Sequence, residues 1–296
     1  MRRSRALASS LGLAVVVLAL LPAGARARCV GHDEARWTAA QSLVLLLNPM
    51  GAEHNFRVGI CVPLYRTDDA VLALNHFEAG VSTYLSPVYF VPGGYAQVAP
   101  ASFWILRAEI HGLAVWPIPL NGAGYYPRSG YADSWMYDDL PADQGGSTGG
   151  LTVRFFSVLR GRVELTPSVA IVAFDATWTE VNLLADGGYW LDVRDDLIAA
   201  SGDWIVANEG ALLLQATLPE GVALRFGAYS ALRANPRAEY VGHQVGPIAM
   251  LSLGRIDTHV DALSVFIRLG VYTHHRFRVG QAATMLGMSV DWDLGG

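Results

Sequence analysis

Arg107, Glu109 and His111 occupy alternate positions in the stretch WILRAEIHGLAVW, residues 104–116, which is otherwise apolar. A cation, an anion and an imidazole on one side of an extended chain can bind a charged solute or pair with one another. Arg57, Arg154, Arg225, Arg233 and Arg268 recur in similar apolar surroundings, with Glu78 and Glu164 as further counter-charges. Opposed charges lining a tube polarise it and favour small anionic or zwitterionic solutes. The same charges can also cross-link and plug a narrow tube, because small barrels fill their interiors with side chains. Both readings are open at this level. Hydrolysis is a third chemistry, and it needs a Ser–His–acid or Asp–His arrangement. His274 and His275 fall at a strand end and Asp195 and Asp196 in an acidic loop, but no surrounding residues match a motif of known lipases, deacylases or proteases. The sequence therefore assigns no catalytic residue, metal ligand or cofactor.

The elements that position these residues follow from the same stretch. Trp104, Leu106, Ala108, Ile110, Gly112, Ala114 and Trp116 form one face and the charged residues the other, because a strand points successive side chains to opposite sides. Helical spacing would put Arg107 and His111 on one stripe with Trp104 and Ala114, leaving no clean apolar face. The alternation recurs. Residues 54–66 set Phe56, Val58, Ile60, Val62 and Leu64 against Arg57, Gly59, Cys61 and Tyr65. Residues 76–86, 151–160, 222–233, 263–274 and 286–294 repeat it, with Glu78, Arg154, Arg225, Arg233 and Arg268 on the polar sides.

Dyad alternation over segments of about ten residues is the pattern of a transmembrane β-barrel, apolar towards lipid and polar inside. A secreted β-sandwich also alternates, but these polar faces are rich in Arg, Gly, Ser and Tyr and the segments run long. Trp104 and Trp116 lie on one face, roughly 40 Å apart along a strand. Tilted by about 40°, that is roughly 30 Å of height, near the spacing of the two aromatic girdles around a lipid band. Trp104, Trp116 and Trp292 are accordingly expected at the interfaces, and Arg57, Glu78, Arg107, Glu109, His111, Arg154, Arg225, Arg233 and Arg268 in the lumen.

The N-terminus sets the compartment. Three arginines in the first five residues, an apolar run from Leu11 to Leu21 and A-x-A sites at Ala23–Ala25 and Ala25–Ala27 predict a secretory signal over residues 1–27. Arg28 before Cys29 argues against lipidation, which needs a small residue there. All 21 basic residues are arginine. Removing residues 1–27 takes four of them and no acid, so 17 basic against 26 acidic residues remain, a net of −9. That balance argues against nucleic acid as a partner. Cys29 and Cys61, the only cysteines, can pair in an oxidising compartment or stay apart.

Parity bounds the topology. The Gly-, Pro-, Tyr- and Asp-rich stretch 117–150 is expected outside the cell, so an odd number of strands must precede it. Five segments do so if Leu43–Leu47 lies in a strand. Seven follow if 177–203 is one extracellular excursion, giving an all-β, antiparallel barrel of about twelve strands from residues 28–296. The run NPMGAEHNFRVGICVPLYRTDD, with SPVY and HHRFRVG, resembles outer-membrane β-barrel proteins of Gram-negative bacteria, within them an uncharacterised family of predicted barrels. The resemblance covers most of the mature chain and implies a location, the outer-membrane bilayer, but no activity. Such barrels commonly end on an aromatic residue; here Trp292 has the right phase but Asp293-Leu294-Gly295-Gly296 follow. The functions left in view are a narrow Arg-lined passive channel for small solutes, or a non-conducting structural or surface barrel. The latter would act through loops in which Tyr125, Tyr126, Tyr131, Trp135 and Tyr137 neighbour Asp133, Asp138, Asp139 and Asp143. Solute, partner and oligomeric state are not encoded legibly.

Overall fold

Twelve strands close on themselves into one antiparallel barrel in which consecutive wall strands pair and the last pairs with the first. The computed structural model describes residues 34–65, 71–116, 127–131, 133, 146–192, 194–254, 256 and 260–295. Five wall strands precede the longest connection: β1 (Arg36–Leu47), β2 (Met50–Pro63), β3 (His76–Ser86), β4 (Tyr89–Ala101) and β5 (Trp104–Val115). Seven follow it: β7 (Thr148–Thr166), β8 (Val169–Leu184), β11 (Trp204–Thr217), β12 (Ala223–Asn235), β13 (Tyr240–Leu253), β14 (Val260–His274) and β15 (Ala282–Gly295). The run Leu43–Leu47 lies in β1, which pairs with β2 on one side and β15 on the other and so closes the wall.

Closure satisfies every strand edge, which an open sheet would leave exposed. The alternation then sorts side chains by face. On β5, Ile110 is 56% exposed between Glu109 at 2% and His111 at 1%. Val81 and Phe155 are likewise exposed beside buried Ser82 and Arg154. Bulky inward side chains need gaps opposite them: a Cβ at Gly59 or Gly270 would run into the hydroxyl of Tyr95 or Tyr229.

Both chain ends of the wall lie at one end of the barrel, since Trp37 pairs with Gly295. Trp104 and Trp292 belong to that terminus end and Trp116, just past β5, to the other. At the terminus end β7 runs past the end of β5 to an exposed turn around Pro167, while β8 stays paired with β11 down to Val169. Glu164 sits there, paired with Arg162 at 3.2 Å and largely exposed. It is therefore no lumen residue, because the wall strand β5 ends opposite Leu159.

The opposite, loop end carries the connections 116–147 and 185–203. Two boundaries differ from expectation. Thr148–Gly150 already belong to β7, and Thr177–Leu184 continue β8, where Trp178, Glu180, Asn182 and Leu184 are buried between Thr179, Val181 and Leu183. Threonines on the outward side blur the hydrophobic contrast that would have marked this strand. The 185–203 segment does form a strand pair, β9 (Tyr189–Asp192) with β10 (Leu197–Ala200), but outside the wall. With the short β6 (Pro127–Arg128) it makes a separate three-stranded sheet.

That sheet stands inside the mouth. Trp190, Leu191, Leu197 and Ile198 pack against inward-facing Tyr84, Tyr89, Val91, Val115 and Ile205 and against Tyr240. Burying each such apolar side chain contributes about 1.5–3 kcal/mol before the cost of ordering the loop. Deeper in the barrel, Val44, Leu213, Ile248, Met250 and Phe266 form a second apolar cluster, and Ile105, Phe156, Val158 and Trp178 a third.

Candidate functional site: the barrel lumen

Two charged networks cross the lumen, and the inward hairpin touches both. The first lies on β2–β8. Glu109 accepts a hydrogen bond from the Tyr84 hydroxyl at 2.8 Å and faces Arg107 at 3.4 Å. His111 Nε2 and the Ser82 hydroxyl are 2.7 Å apart, and the Tyr84 ring meets the imidazole edge-on. Arg154 bonds Glu180 directly, and Tyr89 donates to Glu53. Arg194, from the hairpin turn, lies 3.3 Å from Glu53 and 4.4 Å over the Tyr84 ring.

The second network centres on Glu209 of β11. One of its oxygens accepts from Arg233 at 2.8 Å, the other from Arg268 at 3.0 Å. Both arginines also cover aromatic rings, Arg233 that of Trp178 and Arg268 that of Tyr229, at 4.4 and 4.1 Å. Asp195, next to Arg194 in the hairpin, reaches Arg233 at 3.3 Å. Such pairs tolerate burial because each charge keeps a partner; removing one partner would strand the other.

Arg57, Glu78 and Arg225 lie on inward faces away from these centres. Arg57 sits by Tyr95, which also donates to Glu78. Arg225 donates to Gln215 and Ser252, both at 2.7 Å. Trp104 is exposed outward and donates to Ser157, while Trp116 and Trp292 are half-buried. Cys61 is fully buried and disulfide-bonded; Cys29 lies outside the described residues. Of the loop aromatics, Tyr125, Tyr126, Trp135 and Tyr137 also lie outside them, as do residues 1–27.

Beyond the hairpin a cavity of about 110 Å³ remains on the β11–β15 side, lined by Arg233, Arg268, Glu209, Tyr229 and Tyr272 and roofed by Asp195 and Asp196. Asp196 takes a left-handed turn conformation, φ 53°, which Asp tolerates better than most residues. Its carboxylate receives Arg278 at 3.0 Å and His275 Nε2 at 3.2 Å. The Nδ1 of His275 accepts the backbone N–H groups of Phe277 and Arg278, both at 3.1 Å. Both ring nitrogens are thus engaged in holding the loop, whereas a general base needs one nitrogen facing a nucleophile. His274 is exposed.

Asp203 anchors the hairpin's base. It accepts from Ala200 N–H at 2.8 Å, Tyr131 hydroxyl at 2.7 Å and Asn235 at 2.9 Å, and faces Arg237 at 3.3 Å. Burial opposes ionisation of this carboxyl, but those donors outweigh it and hold its pKa below the ordinary value. Tyr131 is pushed upward by burial and by the same contact.

Oxygen atoms of Glu180, Asp192 and Asp195 also converge. Arg154 and Arg194 stand beside Glu180 and occupy the place of a countercation. Cys61, His76 and Glu78 converge as well, but that sulfur is committed to its disulfide.

Glu53, Glu180, Glu209 and Arg194 are the members that sequence reasoning missed. Glu53 shares the parity of Arg57 just before the segment begun at His54, and Glu209 interrupts an otherwise apolar run, so a signal existed for both. Arg194 had none, since nothing local says that an acidic loop folds inward.

The fold thus defines a closed antiparallel β-barrel with an apolar exterior and a charged, side-chain-filled interior. Among solved structures the chain is similar to the beta domain of the Bordetella autotransporter Brka, at 11% identity and TM-score 0.43, over 86% of this chain and 97% of that one. It is similar also to the transport unit of the autotransporter AIDA-I from Escherichia coli, at 9% identity and TM-score 0.41, over 88% and 89% of the two chains. OmpT, an outer membrane protein of Vibrio cholerae, matches at 7% identity and TM-score 0.34, over 87% and 96%. No protein-family model and no curated protein matches the chain.

Proposed function

We propose that this chain is an outer-membrane β-barrel with a closed lumen, acting through the loops at its outer end. A bilayer admits only structures whose backbone groups are all paired internally, and a closed barrel with outward leucine, valine and phenylalanine meets that demand. On this reading residues 1–27 are a secretory signal cleaved after Ala25 or Ala27, the terminus end is periplasmic, and the connections 116–147 and 185–203 belong to the outer end. The same reading makes Cys29, the only other cysteine of the sequence, the disulfide partner of Cys61. The tyrosine- and aspartate-rich loop around Tyr131 and Asp133 suits contacts with a glycan or protein surface.

The observation that carries the closed state is the hairpin in the mouth, with Arg194 on Glu53 and Asp195 on Arg233, each at 3.3 Å. Purified protein should fractionate with outer membranes, migrate faster unheated than boiled, and give liposomes no more swelling in small sugars or amino acids than protein-free controls. Recovery as a detergent-free soluble monomer would remove the membrane reading.

One observation favours a second reading, a narrow passive channel. The cavity between Glu209, Arg233 and Arg268 lies directly under the hairpin, so outward movement of residues 189–200 would expose an arginine-lined path. Solute-selective swelling of liposomes by the wild-type protein would favour the channel over the closed barrel.

A further inference from the structure

The outward face of β8 and β11 carries a carboxylate and an amide hydrogen-bonded to each other on a mostly apolar exterior. Asp175 on β8 points outward between inward Phe174 and buried Ala176; Asn208 on β11 points outward between buried Ala207 and Glu209. The Asn208 amide donates to both Asp175 oxygens, at 3.0 and 2.9 Å, and to Thr177 Oγ1 at 2.9 Å, while Thr177 lies 3.3 Å from the carboxylate. The register adds Ser157 beside Thr177, and Gly210 then Ser230 beside Asp175. Ser230 bonds His243, and His243 bonds Thr273, continuing the polar ridge towards the loop end.

The ridge has a definite height. The hydrogen-bonded row Trp104–Leu159–Asp175–Gly210–Ser230–Val245–Val271 reaches Ala282, the first residue of β15 at the loop end, so it climbs the barrel as it crosses it. With strands about 4.8 Å apart and tilted about 40°, each step rises ~3 Å. Asp175 then lies ~6 Å and Asn208 ~14 Å above Trp104, inside an apolar band ~25 Å tall. Asp175 forms no ion pair among the described residues. An ionisable group facing lipid at that depth is costly, and such groups ordinarily face protein.

We propose that this face is an interface with a second copy of the chain in the plane of the membrane. The inference rests on the membrane reading above. Copies inserted by one route share one orientation, so a two-fold axis along the membrane normal returns every residue to its own height. The patch is self-complementary under that operation, because a carboxylate acceptor, an amide donor and the hydroxyls of Ser157, Thr177 and Ser230 lie together. Gly210 and the serines let backbones approach closely, as small residues do between membrane segments. The surrounding Leu212, Leu214, Phe155 and Phe226 are among the most exposed apolar side chains of the chain and form a rim that pairing would cover.

The test uses full-length protein in outer-membrane vesicles. Ser230→Cys should cross-link into a dimer under mild oxidation, and Val81→Cys, outward on the distant strand β3, should not. Asp175→Leu and the milder Asp175→Asn should both keep the unheated gel shift of a folded barrel while lowering the dimer fraction about tenfold or more, the scale of a lost tenfold in affinity. Equal cross-linking at both cysteine positions, an unchanged dimer with either Asp175 variant, or a wild-type mass of one barrel in native-lipid discs would overturn the proposal. A cross-link between Ser230→Cys and a protein of different mass would overturn it in favour of a foreign partner. An inserted monomer leaves the membrane reading standing, whereas loss from the membrane fraction removes both.

Discussion

The two halves of the lumen carry similar charges and use them differently. On the β2–β8 side, Glu53, Glu109 and Glu180 face Arg107, Arg154 and, from the hairpin, Arg194, and a space of only about 20 Å³ is left. On the β11–β15 side, one carboxylate, Glu209, holds two arginines, and a cavity of about 110 Å³ survives beside them. The first half is closed by many short pairs; the second depends mainly on Glu209, with Asp195 of the hairpin adding a contact to Arg233. The hairpin bridges the halves because neighbouring residues of its turn, Arg194 and Asp195, carry opposite charges to opposite walls.

The largest effect should follow from breaking the sparser half. Glu209→Ala leaves Arg268, 2% exposed, without its carboxylate and Arg233 with Asp195 alone. Stranding a buried charge costs about 3–5 kcal/mol, so the variant should unfold at markedly lower urea concentration or fail to assemble. A shift too small to measure would mean that water or the hairpin compensates freely, and that the half is more open than described. Next in size is a change of face on one strand. Ile110→Arg puts a charge on the lipid side and should cost roughly 2–4 kcal/mol at mid-bilayer, read from the same urea titration. His111→Arg, which parity alone would tolerate, should now also destabilise, since His111 is fully buried between Ser82 and the Tyr84 ring.

A smaller effect should appear with pH at the hairpin's base. The folded pKa of Asp203 lies below its ordinary value, so its stabilising contacts are complete above about pH 4 and are lost as pH falls through the folded value. Protease cleavage within 185–203 should therefore rise only in strongly acidic buffer, and Asp203→Asn should flatten that profile. An unchanged profile in the variant would place the acid sensitivity elsewhere. The smallest effect belongs to the exposed end of β7, where Glu164→Gln breaks an exposed pair with Arg162 worth at most about 1 kcal/mol.

The wall was legible because parity is local. Phe56, Val58 and Ile60 or Ile110 beside His111 state their faces within a few residues, and the count of five strands and seven follows from them. Parity says nothing about depth or about which strand lies opposite across a lumen. That is why Glu109 and His111 could be placed inward while the joining of Glu53 to Arg194 could not be foreseen. Thr177 and Thr179 weakened the contrast along β8, and Asp175 and Asn208 reversed it, hiding both the end of that strand and the polar face it shares with β11. The inward fold of 185–203 depends on apolar Trp190, Leu191, Leu197 and Ile198 within an acidic segment, a mixture that reads as an ordinary outer loop until the mouth that receives it is known.

The central claim is that the hairpin and its two salt contacts close the lumen. Planar-bilayer recordings should compare the wild-type chain with one in which residues 190–199 are replaced by a short Gly-Ser linker. The wild type should give no steady conductance, and the replacement should give discrete, salt-dependent channels. Steady channels from the untouched wild-type chain would contradict it.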